Sequence, residues 1–215
     1  MSLPAYQFED QNEEKPSSRV LELFDLEERM IQDVIMQGYY ARNSCTLHHP
    51  KTYAGTAQWA ETVRALRDKT VPLGWTTSDE KLFSLSVHPS NNLAIVVLAG
   101  NRETGTSGIP SNRAPKGPNT ENAVAANFRQ LSLFENMPGF APGQENDDPT
   151  TWVLLHYVAP DEIRFELSLP LKIVGGKIRS WKERILFPAI PIGRQIDIEI
   201  GEDDGTEFDV PVQQR

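Results

Sequence analysis

The chain has 215 residues, 39% hydrophobic and 24% charged, long enough to bury one core without disulfide or metal staples. Its net charge of −9 repels a phosphate backbone at long range, which argues against a general nucleic-acid coat protein and leaves room only for a local basic patch. The single cysteine, Cys45, excludes an intrachain disulfide and a multi-cysteine zinc site and suits a cytoplasmic location, and no stretch approaches the ~20 apolar residues of a membrane-spanning helix.

Residues 1–16 are polar, carry Glu9, Asp10, Glu13 and Glu14, lack the apolar run of a secretory signal, and are expected to form a disordered tail. Ser17 or Ser18 can then cap a helix. Val20, Leu23, Phe24, Met30, Ile31, Val34 and Ile35 recur at three- and four-residue spacing through about Gln37, with Gly38 as the stop. An irregular stretch, 39–55, precedes a second helix from Ala57 to about Lys69, capped by Thr56, with Trp59, Val63 and Leu66 on its apolar stripe. Leu82–Val87 and Leu93–Leu98, joined by His88-Pro89-Ser90-Asn91-Asn92, read as an antiparallel hairpin.

From Gly100 the composition turns to glycine, proline, serine and asparagine, so 101–119 reads as a long exposed loop. A short helix, Glu121–Arg129, leads into Gln130-Leu131-Ser132-Leu133-Phe134, and a second loop fills 135–150. The runs 152–158, 163–169, 171–178, 182–187 and 195–200 predict an antiparallel meander, with Phe208–Val212 as a last edge strand. Ile163, Phe165, Leu167 and Leu169 alternate with Arg164, Glu166 and Ser168, giving one buried and one wet face. The expected fold is therefore α+β: two N-terminal helices, a hairpin, a long loop region and a C-terminal antiparallel β-meander, in one domain over 17–215.

Three constellations have the residue types of a catalytic or metal site. Cys45, His48 and His49 offer soft ligands for zinc, but Cys-x2-His followed by His is not a closed site, and the default is ordinary loop histidines. Cys45 with His48 or His156 as base lacks any local nucleophile signature. Asp161, Glu166, Lys172 and Lys177 have the carboxylate and lysine types of a divalent-metal nuclease, but the Glu-x-Lys pairing is missing because Leu167 and Ser168 follow Glu166. Strand alternation assigns Glu166 to the solvated face. No phosphate loop or dinucleotide fingerprint occurs, so no cofactor, metal ligand or catalytic residue is assigned. Arg102, Arg113 and Lys116 make the first loop mildly basic and are the residues available for direct nucleic-acid contact; their default reading is solvated surface.

Gln130-Leu131-Ser132-Leu133-Phe134 resembles the peptide by which many bacterial DNA polymerases, repair proteins and plasmid or phage replication proteins bind the sliding clamp, whose consensus is Gln-Leu-Ser/Asp-Leu-Phe. The match covers five of 215 residues and extends to no fold. A glutamine amide can fix register by hydrogen bonds while two leucines and a phenylalanine offer apolar surface to a groove. The resemblance implies Gln130 as the polar anchor, Leu133 and Phe134 as the apolar pair, Leu131 as support and Ser132 as the central consensus position. It further implies a DNA-replication or repair accessory or regulatory protein, partnered with the clamp and encoded by a phage or mobile element. Two alternatives stand beside it: a metal-dependent DNA-processing enzyme with Asp161 and Glu166 as its carboxylates, and a structural protein whose pentapeptide packs internally.

Overall fold

The computed structural model of the chain describes residues 16–134 and 149–193. The expected tail up to residue 15, nearly all of the second loop and the expected strands 195–200 and 208–212 lie outside the described residues. In order come α1 (Pro16–Phe24), α2 (Glu28–Asn43), α3 (Tyr53–Thr70), β1 (Thr76–Ser78), β2 (Leu85–Val87), β3 (Leu93–Ala99), α4 (Pro118–Phe134), β4 (Thr150–Val158), β5 (Glu162–Val174), β6 (Lys177–Leu186) and β7 (Ile190–Pro191). The architecture is α+β, as expected.

The strands form one mixed sheet in the order β1-β2-β3-β4-β5-β6, with β7 pairing β5. The hairpin of β2 and β3 and the meander β4-β5-β6 are antiparallel, as expected. Between them β3 and β4 run parallel, in register from Leu93 opposite Thr150 to Ala99 opposite His156. Parallel neighbours need a long crossover, and here the loop after β3 together with α4 supplies it. Three expected runs, 163–169, 171–178 and 182–187, are one hairpin whose turn falls inside the second: β5 continues through Pro170, where its register with β6 shifts. A bulge is where a strand tolerates proline. The chain reverses at Gly175 and Gly176, whose φ angles of +57 and +70 only glycine adopts readily.

Alternation sorts the sheet residues into two cores. Ile95, Val97, Trp152, Leu154, Phe165, Leu167 and Ile185 point toward α1, α2 and α3, joining Phe24, Ile31, Val34, Ile35 and Leu66. Phe24 meets Trp152 edge to face with ring centres 5.3 Å apart. Val96, Leu98, Val153 and Leu155 form the second cluster with Ile178, against which Phe83, Ile173 and Trp181 pack.

The second helix begins at Tyr53, so Thr56 lies inside it and does not cap it, and three further expectations for the N-terminal helices need correction. The single helix read through Gln37 is two, because Asp25 takes φ +53 and its amide donates to the Leu21 carbonyl at 3.0 Å, which closes α1. Gly38 does not stop α2; it lies inside the helix, where an added Cβ would sit 2.0 Å from Thr62 Oγ1 and 2.8 Å from the Gln58 carbonyl of α3. The glycine is there for close helix approach. Trp59 does not share the inner stripe of α3; it is exposed, and polar Gln58 and Thr62 are buried beside Val63 and Leu66.

The expected exposed loop, 101–119, is instead folded against the sheet. Thr104, Pro110, Asn112 and Ala114 are buried, and Asn112 pairs with Gly100 as an isolated bridge. The Asn112 amide donates to the carbonyls of Ala114 (2.6 Å) and Gly176 (2.8 Å), and its oxygen accepts from the Ile178 amide (2.8 Å). Trp181 Nε1 donates to the Pro110 carbonyl at 2.9 Å. A polar segment of this kind is ordered by side chains satisfying its backbone, not by apolar burial.

Candidate functional site

The parallel pair places two chain ends side by side. Ala99 ends β3 and Gly100 follows it, His156, Tyr157 and Val158 finish β4, and the Gly100 amide donates to the His156 carbonyl at 2.8 Å. A cavity of about 40 Å3 opens at these carboxyl ends, lined also by Arg42 from the end of α2, Gln58 from α3 and Arg113 from the folded loop. The His156 ring is buried, and Nδ1 lies 3.1 Å from Gln58 Nε2 while Nε2 is enclosed without a hydrogen-bond partner. Burial first, and the Arg42 charge second, hold its pKa down to about 4, so the ring is neutral at pH 7. With the Gln58 amide nitrogen donating to Nδ1, the ring proton resides on Nε2.

Glu166 is the second buried polar centre and corrects the sequence reading. Assigned by alternation to a wet face, it is fully buried because the folded loop covers that side of β5. Its Oε1 accepts from Ser168 Oγ at 2.8 Å and Arg184 Nε at 3.1 Å; its Oε2 accepts from the Gly105 amide at 2.8 Å and Arg184 Nη2 at 2.5 Å. Arg184 also donates to the carbonyls of Gly108 (2.6 Å) and Thr106 (3.0 Å). The pair is a clasp that ties loop residues 105–108 to β5 and β6, and it leaves the carboxylate committed to four donors.

The remaining nuclease-like residues do not join Glu166. Asp161 sits exposed in the β4–β5 turn, where its carbonyl accepts from the Ile192 amide at 2.8 Å. Lys172 and Lys177 flank the turn at the far end of β5, roughly 35 Å from Asp161 at ~3.3 Å per extended residue. Lys177 Nζ donates to the carbonyls of Asn112, at 2.9 Å, and Arg113, a second tie on the folded loop. Burial, then Arg179 and Lys116, lower its pKa.

Cys45, His48 and His49 lie in the turn between α2 and α3. The Cys45 thiol donates to the Ala41 carbonyl at 3.4 Å, and His49 Nδ1 accepts from the Thr46 amide at 3.0 Å with its ring stacked on Tyr53 at 4.8 Å. Cys45 and His49 line a shallow groove of about 390 Å3 with Ser44, Tyr53 and Glu61. His156, the other base considered for Cys45, is engaged by Gln58 instead. Among the described residues no group of three or more His, Cys, Asp or Glu side chains is placed to hold a metal ion.

In the basic loop, Arg102 is exposed and pairs with Glu103 at 3.1 Å, while Arg113 borders the cavity. The pentapeptide lies on the last turn of α4, which continues to Phe134 and does not end at Arg129. The helix expected upstream of the peptide therefore runs on through it. Upstream, buried Asn127 fixes α4 to the sheet: its amide donates to the Thr151 carbonyl at 2.8 Å and the Pro170 carbonyl at 3.3 Å, and its oxygen accepts from the Thr151 amide at 2.8 Å. Gln130 is half-buried, and its Oε1 accepts from Thr150 Oγ1 at 2.6 Å. The side chains of Leu131, Ser132, Leu133 and Phe134 lie outside the described residues.

Comparison with family models, curated proteins and solved structures finds no match. Sequence reasoning missed the His156–Gln58 pair and the Glu166–Arg184 clasp. The one signal available for each was a polar residue inside a strand-like apolar run: His156 within Trp152–Val158, and Glu166 beside Ser168 within 163–169.

Proposed function

We propose that the chain is a DNA-replication or repair accessory protein of a phage or mobile element that docks on the bacterial sliding clamp through Gln130, Leu131, Ser132, Leu133 and Phe134. The observation that carries the reading is the full consensus match at these five positions. Its placement supports it: the peptide ends a helix anchored by Asn127 to the sheet, so a docked clamp would be held at a fixed point of the body. Docking through the Gln130 amide requires the bond from Thr150 to open, which costs about 1 kcal/mol. Burying leucine and phenylalanine side chains contributes a few kcal/mol before ordering costs, in the range of micromolar binding. The net charge of −9 favours a protein partner over direct contact with DNA.

Pull-down with purified clamp tests the reading. The intact protein is expected to be retained and a Gln130→Ala, Phe134→Ala variant to be lost. Absence of retention by the folded, intact protein sinks it.

The Gln130–Thr150 bond favours a second reading, in which the pentapeptide packs within this chain. Under that reading the same double variant is destabilised and the clamp is not bound. The nuclease alternative has no such support, because Glu166 is enclosed by its four donors and Asp161 lies far from Lys172 and Lys177.

A further inference from the structure

The geometry points to a binding site for one small oxyanion of the phosphate class in the cavity at the carboxyl ends of β3 and β4, lined by His156, Arg42 and Arg113. Nothing in the clamp reading requires this site.

Four observations carry it. First, a buried ring nitrogen without a partner is costly, and His156, whose enclosed Nε2 has none, is one of the residues that line this cavity. Its orientation is fixed from behind by Gln58 at 3.1 Å, so Nε2 is a preset donor. Second, two guanidinium side chains from separate elements share the lining with Gln58 and Tyr157, and among the described residues no acidic side chain lines the cavity. In a chain with nine more acids than bases, that local arrangement is cationic against the overall charge. Third, about 40 Å3 is room for roughly three water-sized groups, enough for the inner oxygens of a phosphate head and too small for a base or sugar ring. Arginine forks match phosphate oxygens, and a neutral imidazole N–H adds a directed donor without a third charge. Fourth, in open sheets ligands bind outside the carboxyl ends of parallel strands, and β3 with β4 is the parallel pair of this sheet.

The chemistry selects a single phosphate, free or at the end of a small monoester. A long polyanion is disfavoured because its remaining charges would be repelled by the chain's net charge of −9. Arg113, exposed at the rim, is positioned to discriminate: it meets the outward oxygens, while His156 meets the deepest one. Binding would also satisfy the His156 ring nitrogen, which is buried without a partner.

Nitrogen-resolved NMR of the histidine rings in the full-length protein tests the site, with inorganic phosphate as the probe up to about 10 mM, where a site of millimolar Kd is largely filled. The His156 Nε2 resonance is expected to move saturably. Arg113→Gln, a change at an exposed residue, is expected to weaken the apparent Kd about fivefold or more. Arg102→Gln, on the same loop but paired to Glu103, is expected to leave it unchanged. A nucleoside monophosphate competing at the same resonance with a lower Kd identifies a monoester as the ligand, and equal Kd values identify phosphate itself. A His156 resonance unmoved by phosphate, an equal response to acetate, or an identical Kd in Arg113→Gln overturns the proposal and leaves the cavity as a hydrated core defect.

Discussion

Replacing Arg184 by methionine removes the guanidinium that donates to both oxygens of Glu166 and to the carbonyls of Thr106 and Gly108. Methionine keeps most of the side-chain volume, so the loss is electrostatic and not a cavity. Glu166 stays fully buried with only the Gly105 amide and Ser168 hydroxyl as donors. Breaking a buried pair from one side costs about 3 to 5 kcal/mol; the low end applies here because Arg184 is partly exposed and water can reach the gap. At ~2 to 4 °C per kcal/mol for a chain of this size, Tm should fall by about 6 to 12 °C. Urea unfolding should show a lower midpoint with an unchanged slope, since the compactness of neither state changes. Removing both charges, as in Glu166→Gln with Arg184→Met, should recover more than half of the loss, because no uncompensated charge remains. Hydrogen exchange at the Gly105 amide should accelerate in the single variant before global unfolding does. A single variant within 0.5 kcal/mol of the parent refutes the clasp as a structural tie, on the ordinary scale of surface substitutions.

Acid should destabilise the protein through His156. Its folded pKa of about 4 lies below the ordinary 6.5, so the unfolded chain binds the proton first and stability falls as pH drops from about 6.5 toward 4. The shift is worth about 3 kcal/mol at full titration, read as the difference between the pH–stability profiles of the parent and His156→Phe; parallel profiles contradict it. Gly38→Ala should destabilise by about 1 to 3 kcal/mol in denaturant unfolding despite alanine's better helix propensity, because its Cβ enters Thr62 Oγ1 and the Gln58 carbonyl. Stabilisation by alanine would show that α2 and α3 do not approach so closely. Thr150→Val removes one donor to Gln130 Oε1 and should tighten clamp binding about fivefold in a titration, the equivalent of that one hydrogen bond. Weaker binding by Thr150→Val would mean that the bond presents the peptide and does not compete for it.

Local pattern made the apolar strands and helices legible. Leu93–Leu98, Ile163–Leu169 and the three- and four-residue spacing from Val20 to Ile35 carry their own period. What escaped depends on contacts distant in sequence. The parallel pairing of β3 with β4 spans more than fifty residues, and nothing within either strand announces its orientation. The loop 101–119 has the composition of solvent-exposed chain, yet Trp181, Arg184 and Lys177 satisfy its carbonyls from outside and Asn112 does so from within, which holds it down. That cover, in turn, buries Glu166 on a face that alternation alone assigns to water. Gly38 was ambiguous in the same way: a glycine near a helix end reads as a stop unless the neighbouring helix is known. The candidate cavity shares this origin, since Arg42, Gln58, Arg113 and His156 come from four separate elements. The pentapeptide is the converse case, legible as a word of five residues whatever the fold does with it.

A competition titration addresses the central proposal most directly: intact protein added to purified bacterial sliding clamp carrying a labelled Gln-Leu-Ser-Leu-Phe peptide. Displacement with a micromolar apparent Kd, weakened at least tenfold by Gln130→Ala with Phe134→Ala in a variant that remains folded, is the predicted result. No displacement by the intact protein, or equal displacement by the folded double variant, would contradict docking through Gln130 to Phe134.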